Sequence, residues 1–233
     1  MVFPTIFDWL ERLDSLRGFT AAYAVLITAV LVIILWDWRL ALAALAAQYF
    51  FAGLLFVDVL DPRLAMVKLL AGWFACLILY FTARQVNWGG RPQDVAADEL
   101  QNVAPERTFQ VGPLRIPTSL PLRLLLVLLM LWLITSLFQR PDFALPAIGD
   151  SLNYLSLAIF ALVVLGLLAL ALTSEPLKAG MGVFMFLTGF ELFYSALDQS
   201  ATMLILLAAA NIVLALVVAY LVQMRHAIPA LVD

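Results

Sequence analysis

An acid inside an apolar run is the first place in this chain where chemistry could occur. The stretch GVFMFLTGFELFYSALDQSATMLILLAAANIVLALVVAYLVQ, Gly182–Gln223, is nearly all apolar, yet Glu191 sits in its first half. Thr188, Glu191, Ser195 and Asp198 follow one another at intervals of three, four and three, which on a helix makes one polar stripe along one face. Gly182, Gly189 and Ala196 repeat every seven residues on a different face, where small side chains permit close helix contact. One face suits tight packing and the other suits exchangeable protons. An ionisable group inside a bilayer costs on the order of 2.5–3.5 kcal/mol on insertion scales and usually marks a proton or ion path. Desolvation favours the neutral form of such a carboxyl, which suits a carrier that ionises only when a charge or a water file comes near. The alternative is a protonated glutamate hydrogen-bonded to a neighbouring helix for packing alone.

Lys68 is the second ionisable group inside an apolar run. Its stem can snorkel to the outer surface near Asp58 and Asp61. Alternatively it is a relay lysine facing inward, where Gly72 and Ala75 on the same helix face let another helix approach. Gln48, Tyr49, Thr135, Ser136, Tyr23 and Thr28 read as interhelical hydrogen-bonding groups before relay elements. Trp36, Trp38, Trp73 and Trp88 read as interfacial anchors or packing.

The elements that must position these groups are membrane spans. Of the 233 residues, 65% are hydrophobic and 12% charged, and the mean hydropathy is +1.03. That composition excludes a soluble globular domain. Apolar runs of about 18 residues, each long enough for a bilayer core of roughly 30 Å, recur seven times: Phe19–Trp36, Leu40–Val57, Leu64–Ala83, Leu122–Phe138, Leu152–Leu172, Leu177–Leu197 and Ala201–Val222. The expected fold is an all-α integral membrane protein of about seven transmembrane helices. Pro62 suits the first turn of the third span. Residues 1–18 place Phe3, Ile6, Phe7, Leu10, Leu13 and Leu16 at helical spacing, which reads as an amphipathic helix at the membrane interface, or one lying on a partner subunit, rather than a cleavable signal. Residues 85–121 form a polar loop, with room for a helical turn at Asp94–Leu100. The loop divides a three-span half, 19–84, from a four-span half, 122–226.

Charge placement gives the orientation. Arg39, Arg84, Arg91, Arg107, Arg115, Arg123, Lys178 and Arg225 fall on one side, against Arg12, Arg17, Arg63 and Arg140 on the other. The positive-inside rule then puts the long loop and the C-terminus in the cytoplasm and the N-terminus outside. One cysteine, Cys76, excludes an intramolecular disulfide and any multi-cysteine metal site, and one histidine, His226, excludes a bis-histidine haem. No cofactor or metal is expected, and the net charge of −3 gives no hint of nucleic-acid binding.

The segment FMFLTGFELFYSALD followed by LAAANIVLALVVAYLVQMRH resembles the K subunit of bacterial NADH–quinone oxidoreductase. Related families are the C subunit of multisubunit cation/proton antiporters and the E component of hydrogenase-4-type complexes. Gly189-Phe190-Glu191 matches the Gly-hydrophobic-Glu core of that family's second helix, and Gln223, Arg225 and His226 match the polar end of its third. The resemblance spans 152–226, about a third of the chain. MVKLLAGWFACLILYFTARQV, Met66–Val86, is similar to a lysine-bearing helix of the longer hydrogenase-4 E type. The family's second channel acid aligns with Asn211, which cannot carry a proton at neutral pH.

The resemblance implies a membrane-arm subunit of an energy-converting oxidoreductase or antiporter complex in a bacterial-type inner membrane. It would pack among other membrane subunits and bilayer lipid, and would not be catalytic alone. Its proton relay would draw on Glu191, Lys68, Asn211, Thr188, Ser195 and Asp198. A scaffold subunit of such a complex and a stand-alone secondary transporter are the competing readings. The halves show no convincing repeat that would favour the transporter.

Overall fold

A computed structural model of the chain describes residues 13–86, 108–111, 114–117, 120–140, 145, 148–149 and 152–226. Among the described residues seven α-helices carry the fold: α1 (Phe19–Ile34), α2 (Trp38–Val57), α3 (Pro62–Gln85), α4 (Leu120–Phe138), α5 (Asn153–Ala171), α6 (Pro176–Leu197) and α7 (Ala201–His226). Six of them, α2 to α7, are long and apolar enough to cross a membrane, and α1 is a shorter apolar helix of 16 residues. The chain is an all-α multi-pass membrane protein in architecture. In hydrocarbon every backbone N–H and C=O must be satisfied within the segment, which leaves Leu- and Ala-rich runs little choice but helix.

The connections follow from local chemistry. Asp37 caps α2 by accepting from the Arg39 N–H at 2.9 Å, and Asp61 caps α3 by accepting from the Arg63 N–H at 2.9 Å. Pro62 and Pro176 open α3 and α6, at positions where a missing N–H costs nothing. The long polar loop, expected to hold at most a helical turn, contains a strand pair: Thr108–Val111 pairs antiparallel with Leu114–Pro117, Phe109 opposite Ile116. Asp94–Leu100 lies outside the described residues, as does most of the amphipathic segment, whose tail is a single 3₁₀ turn at Asp14–Leu16.

The helices alternate in direction, so the bundle has two ends. At one, Asp58 at the end of α2 receives hydrogen bonds from Arg17 (Nε, 3.0 Å) and from the Tyr154 hydroxyl of α5 (2.9 Å), and the Gln199 amide donates to the Val59 carbonyl at 2.8 Å. At the other, Gln223 of α7 reaches Gln85 of α3 at 3.4 Å, and Arg225 donates to the Ser174 carbonyl at 2.7 Å. These are called below the Asp58 end and the Lys178 end.

The closest helix pair is α5 with α6. A Cβ on Gly166 would stand 2.6 Å from the Phe186 backbone nitrogen, and one on Gly182 would stand 3.0 Å from the Leu170 nitrogen. A Cβ on Gly189 would meet Leu162 at 2.8 Å. The glycine face read from the sequence is thus the α5 contact, with Gly166 as an unanticipated partner. α4 lies at the periphery, with only Val127 and Ile134 buried.

Gly166→Ala should therefore destabilise the purified chain by about 1–3 kcal/mol, because backbone rather than a flexible side chain stands in the way. Gly53→Ala should be tolerated, since its Cβ would meet only Leu69 side-chain atoms at 3.5 Å. Thermal unfolding in detergent checks the pair, and equal midpoints for both variants would contradict the assigned contact.

Candidate functional site

Lys68, Thr188, Ser195 and Asn211, four of the buried polar residues of the bundle, gather around Glu191. In α6 its side chain is 3% exposed, and Lys68 of α3 is 2% exposed. The Lys68 Nζ stands 3.0 Å from Glu191 Oε1. Asn211 of α7 donates from Nδ2 to the same oxygen at 3.0 Å. Three helices thus deliver an ammonium, a carboxylate and an amide to one point.

The depths match. Lys68 is six residues into α3 from Pro62, and Glu191 is six residues from the end of α6 at Leu197. At 1.5 Å per residue both lie about 9 Å inside the Asp58 end. The sequence left two readings for Lys68, and the structure takes the inward one. Snorkelling towards Asp58 and Asp61 does not occur, because Arg17 and Tyr154 occupy Asp58 and Asp61 is spent on capping α3. An ammonium already inside the bundle finds its strongest available partner in the Glu191 carboxylate.

Tyr49 of α2 closes the cluster from a fourth helix. Its ring lies against Gly72, one turn beyond Lys68, so closely that a Cβ there would be 2.2 Å from a ring carbon. The hydroxyl neighbours Thr188 and lies within electrostatic reach of Glu191. It has no hydrogen-bond partner among the described residues; nor do the Asn211 Oδ1 or the side-chain amide of the fully buried Gln48. The Lys68 ammonium, though at ion-pair distance, has no aligned hydrogen-bond acceptor among them. Sequence reasoning ranked Tyr49 as an ordinary interhelical hydrogen-bonding group. The glycine one turn after an intramembrane lysine was the signal that an aromatic ring could lie there.

The remaining members of the stripe divide. Thr188 and Ser195 are buried on the Glu191 face, but their hydroxyl protons go to their own helix, to the Phe184 carbonyl at 2.7 Å and the Glu191 carbonyl at 2.7 Å. Their oxygens remain able to accept. Asp198 is not part of the cluster. It lies just past the end of α6, exposed, accepting from the Tyr194 hydroxyl at 3.0 Å and from the Ser200 N–H at 3.0 Å. The three-and-four spacing runs on beyond the point where the helix stops.

No cluster of three or more His, Cys, Asp or Glu side chains able to hold a metal exists among the described residues. The site brings together a carboxylate approached by two donor groups, an ammonium that can lose a proton to it, and hydroxyls at its margin. No family model, curated protein or solved structure matches the chain.

Removing one member of a buried pair strands the other charge, at about 3–5 kcal/mol, whereas replacing both with apolar residues is often close to neutral. Lys68→Met should therefore lower the thermal midpoint of the purified chain sharply, and Lys68→Met with Glu191→Leu should recover most of the loss. Additive losses in the double variant would show that the two side chains do not interact.

Proposed function

We propose that this chain is a proton-conducting membrane-arm subunit of an energy-converting multisubunit complex, an oxidoreductase or a cation/proton antiporter. The observation that carries this reading is the buried Lys68–Glu191 contact with Asn211 on the same carboxylate oxygen. A bundle held together by packing alone has no need of two ionisable groups in its interior, each of which is costly there. The resemblance of 152–226 to the K-subunit group, and of Met66–Val86 to the lysine-bearing helix of the hydrogenase-4 E type, supports the same assignment. It also suggests the partners: antiporter-like membrane subunits, which would carry the redox or ion-exchange chemistry.

In this reading the pair stores one proton in two ways. As an ion pair, Lys68 holds it; as a neutral pair, Glu191 does. Both states carry zero net charge, so the exchange needs no counter-ion from outside. A charge arriving in a neighbouring subunit shifts the balance and drives the proton on, with Thr188 and Tyr49 as the nearest hydroxyls. The protein would lie in a bacterial-type inner membrane, with the Lys178 end, the long loop and the C-terminus in the cytoplasm and the N-terminus outside.

A scaffold role in the same kind of complex is the second reading. It is favoured by the pair neutralising itself within one chain and by Asn211 standing where the family has a second acid.

The two readings part on one substitution. In complex reconstituted into liposomes, Glu191→Gln should leave the subunits co-purifying while proton uptake falls by tenfold or more. Uptake at the wild-type rate from an assembled variant would leave the chain a scaffold.

A further inference from the structure

We propose that the outer groove between α2 and α3 binds a phospholipid of net negative charge, with its phosphate on Arg39 and one acyl chain in the groove. The groove has a volume of about 340 Å³, and its lining includes Arg39, Ala43 and Ala46 of α2 and Trp73, Cys76 and Tyr80 of α3. That is room for about ten groups the size of a water molecule, at roughly 30 Å³ each. No member of the Glu191 cluster lines it, so the site stands apart from the proposed proton path.

The shape follows from the sequence. Arg39, Ala43 and Ala46 recur at intervals of four and three on α2, and Trp73, Cys76 and Tyr80 at three and four on α3, so each set lies on one helix face. Alanines on one side against two large rings on the other leave a slot, with the buried Cys76 as its floor. Both rings are held. The Trp73 indole N–H donates to the Ala46 carbonyl at 3.1 Å across the two helices, and Tyr80 packs on Trp38 with ring centroids 5.8 Å apart. Trp73 and Tyr80 are seven residues apart, so the slot runs about 10 Å inward from its mouth.

The cation at that mouth selects the occupant. The Arg39 guanidinium carbon lies 5.4 Å from the centroid of the Trp38 ring, a contact that holds it in place. No carboxylate is within ion-pair distance of it among the described residues. The neighbouring Asp37 serves the Arg39 backbone N–H at the start of α2, and no acid lines the groove. A guanidinium can bind two phosphate oxygens at once, and a chain seated in the slot would present its phosphate there. Any exposed helix face in a bilayer is covered by lipid. Fixed walls with a fixed, unpaired cation at one end go further and favour one headgroup. Phosphocholine would bring a second cation beside Arg39, whereas a headgroup of net negative charge would not.

Native mass spectrometry of the full chain in neutral detergent tests this, with phosphatidylglycerol and phosphatidylcholine of matched acyl chains as probes. Phosphatidylglycerol should be retained in preference. Arg39→Gln should reduce that preference about fivefold. Ala43→Phe, which fills the slot and leaves the charge, should reduce it as much. Circular dichroism checks that each variant is folded. Arg84→Gln, which removes another exposed cation at the same end, should change nothing. Equal retention of the two lipids by the unaltered chain would overturn the proposal. So would an equal loss in Arg84→Gln, which would mean diffuse surface charge, or an undiminished preference in Ala43→Phe, which would mean that the slot holds no chain. Complete displacement of phosphatidylglycerol by millimolar glycerol phosphate would assign Arg39 to a free anion and overturn the lipid.

Discussion

Two opposite charges cannot stay apart in hydrocarbon, and much of this bundle is arranged around that constraint. Lys68 and Glu191 lie 123 residues apart in sequence but at one depth and 3.0 Å apart in space. For that to happen, α3 and α6, whose backbones hardly touch and which are joined through α2 and α7, must turn their polar faces towards one another with their ends in step to within a residue or two. α7 must then run against α3 for Asn211 to reach the same oxygen, and it packs more extensively on α3 than on α6. A slide of one turn, about 5.4 Å, would break both contacts. Polar side chains fix the register here in a way that lipid-like leucines could not, because apolar surfaces in a membrane have little preference among partners.

The glycines make the other half of the arrangement possible. α6 turns Gly182 and Gly189 to α5, where the backbones approach closely around Gly166, and turns Thr188, Glu191 and Ser195 towards α2, α3 and α7. Close packing on one side anchors the helix without using its polar face. Gly72 does similar work in α3: the missing side chain is the space in which the Tyr49 ring lies. The site thus depends on absent atoms as much as on present ones.

What could be read from the sequence was whatever depends on one helix at a time. The spans were legible because uninterrupted apolar runs have one solution in a bilayer, and their expected ends fall within a few residues of the helices observed. Glu191, Thr188 and Ser195 were legible as one face because periodicity is a property of a single helix. Lys68 was left open because its direction depends on competition between distant partners. Arg17, 41 residues from Asp58 in sequence, had to be known to occupy that carboxylate. Asp198 shows the opposite failure: its spacing was right, but α6 ends before it. The hairpin at 108–117 was missed because two strands of four residues leave too short a pattern to stand out among prolines and charges.

Asn211 is the residue whose meaning changes most once its neighbours are known. Aligned against an acid, it looks like a loss, since an amide cannot carry a proton. Placed 3.0 Å from Glu191 Oε1, it is a group with a donor on one side and an acceptor on the other. The Nδ2 serves the ionised carboxylate, as the hydrogen-bond pattern requires. Half a turn of the amide would bring Oδ1, which has no partner among the described residues, to receive a proton held on the carboxyl. An aspartate or glutamate at this position would set a second negative charge beside Glu191 with only Lys68 to balance both. An asparagine adds no charge and can bond to either protonation state, so in the proposed relay the pair would keep its freedom to hold its proton on the lysine or on the acid.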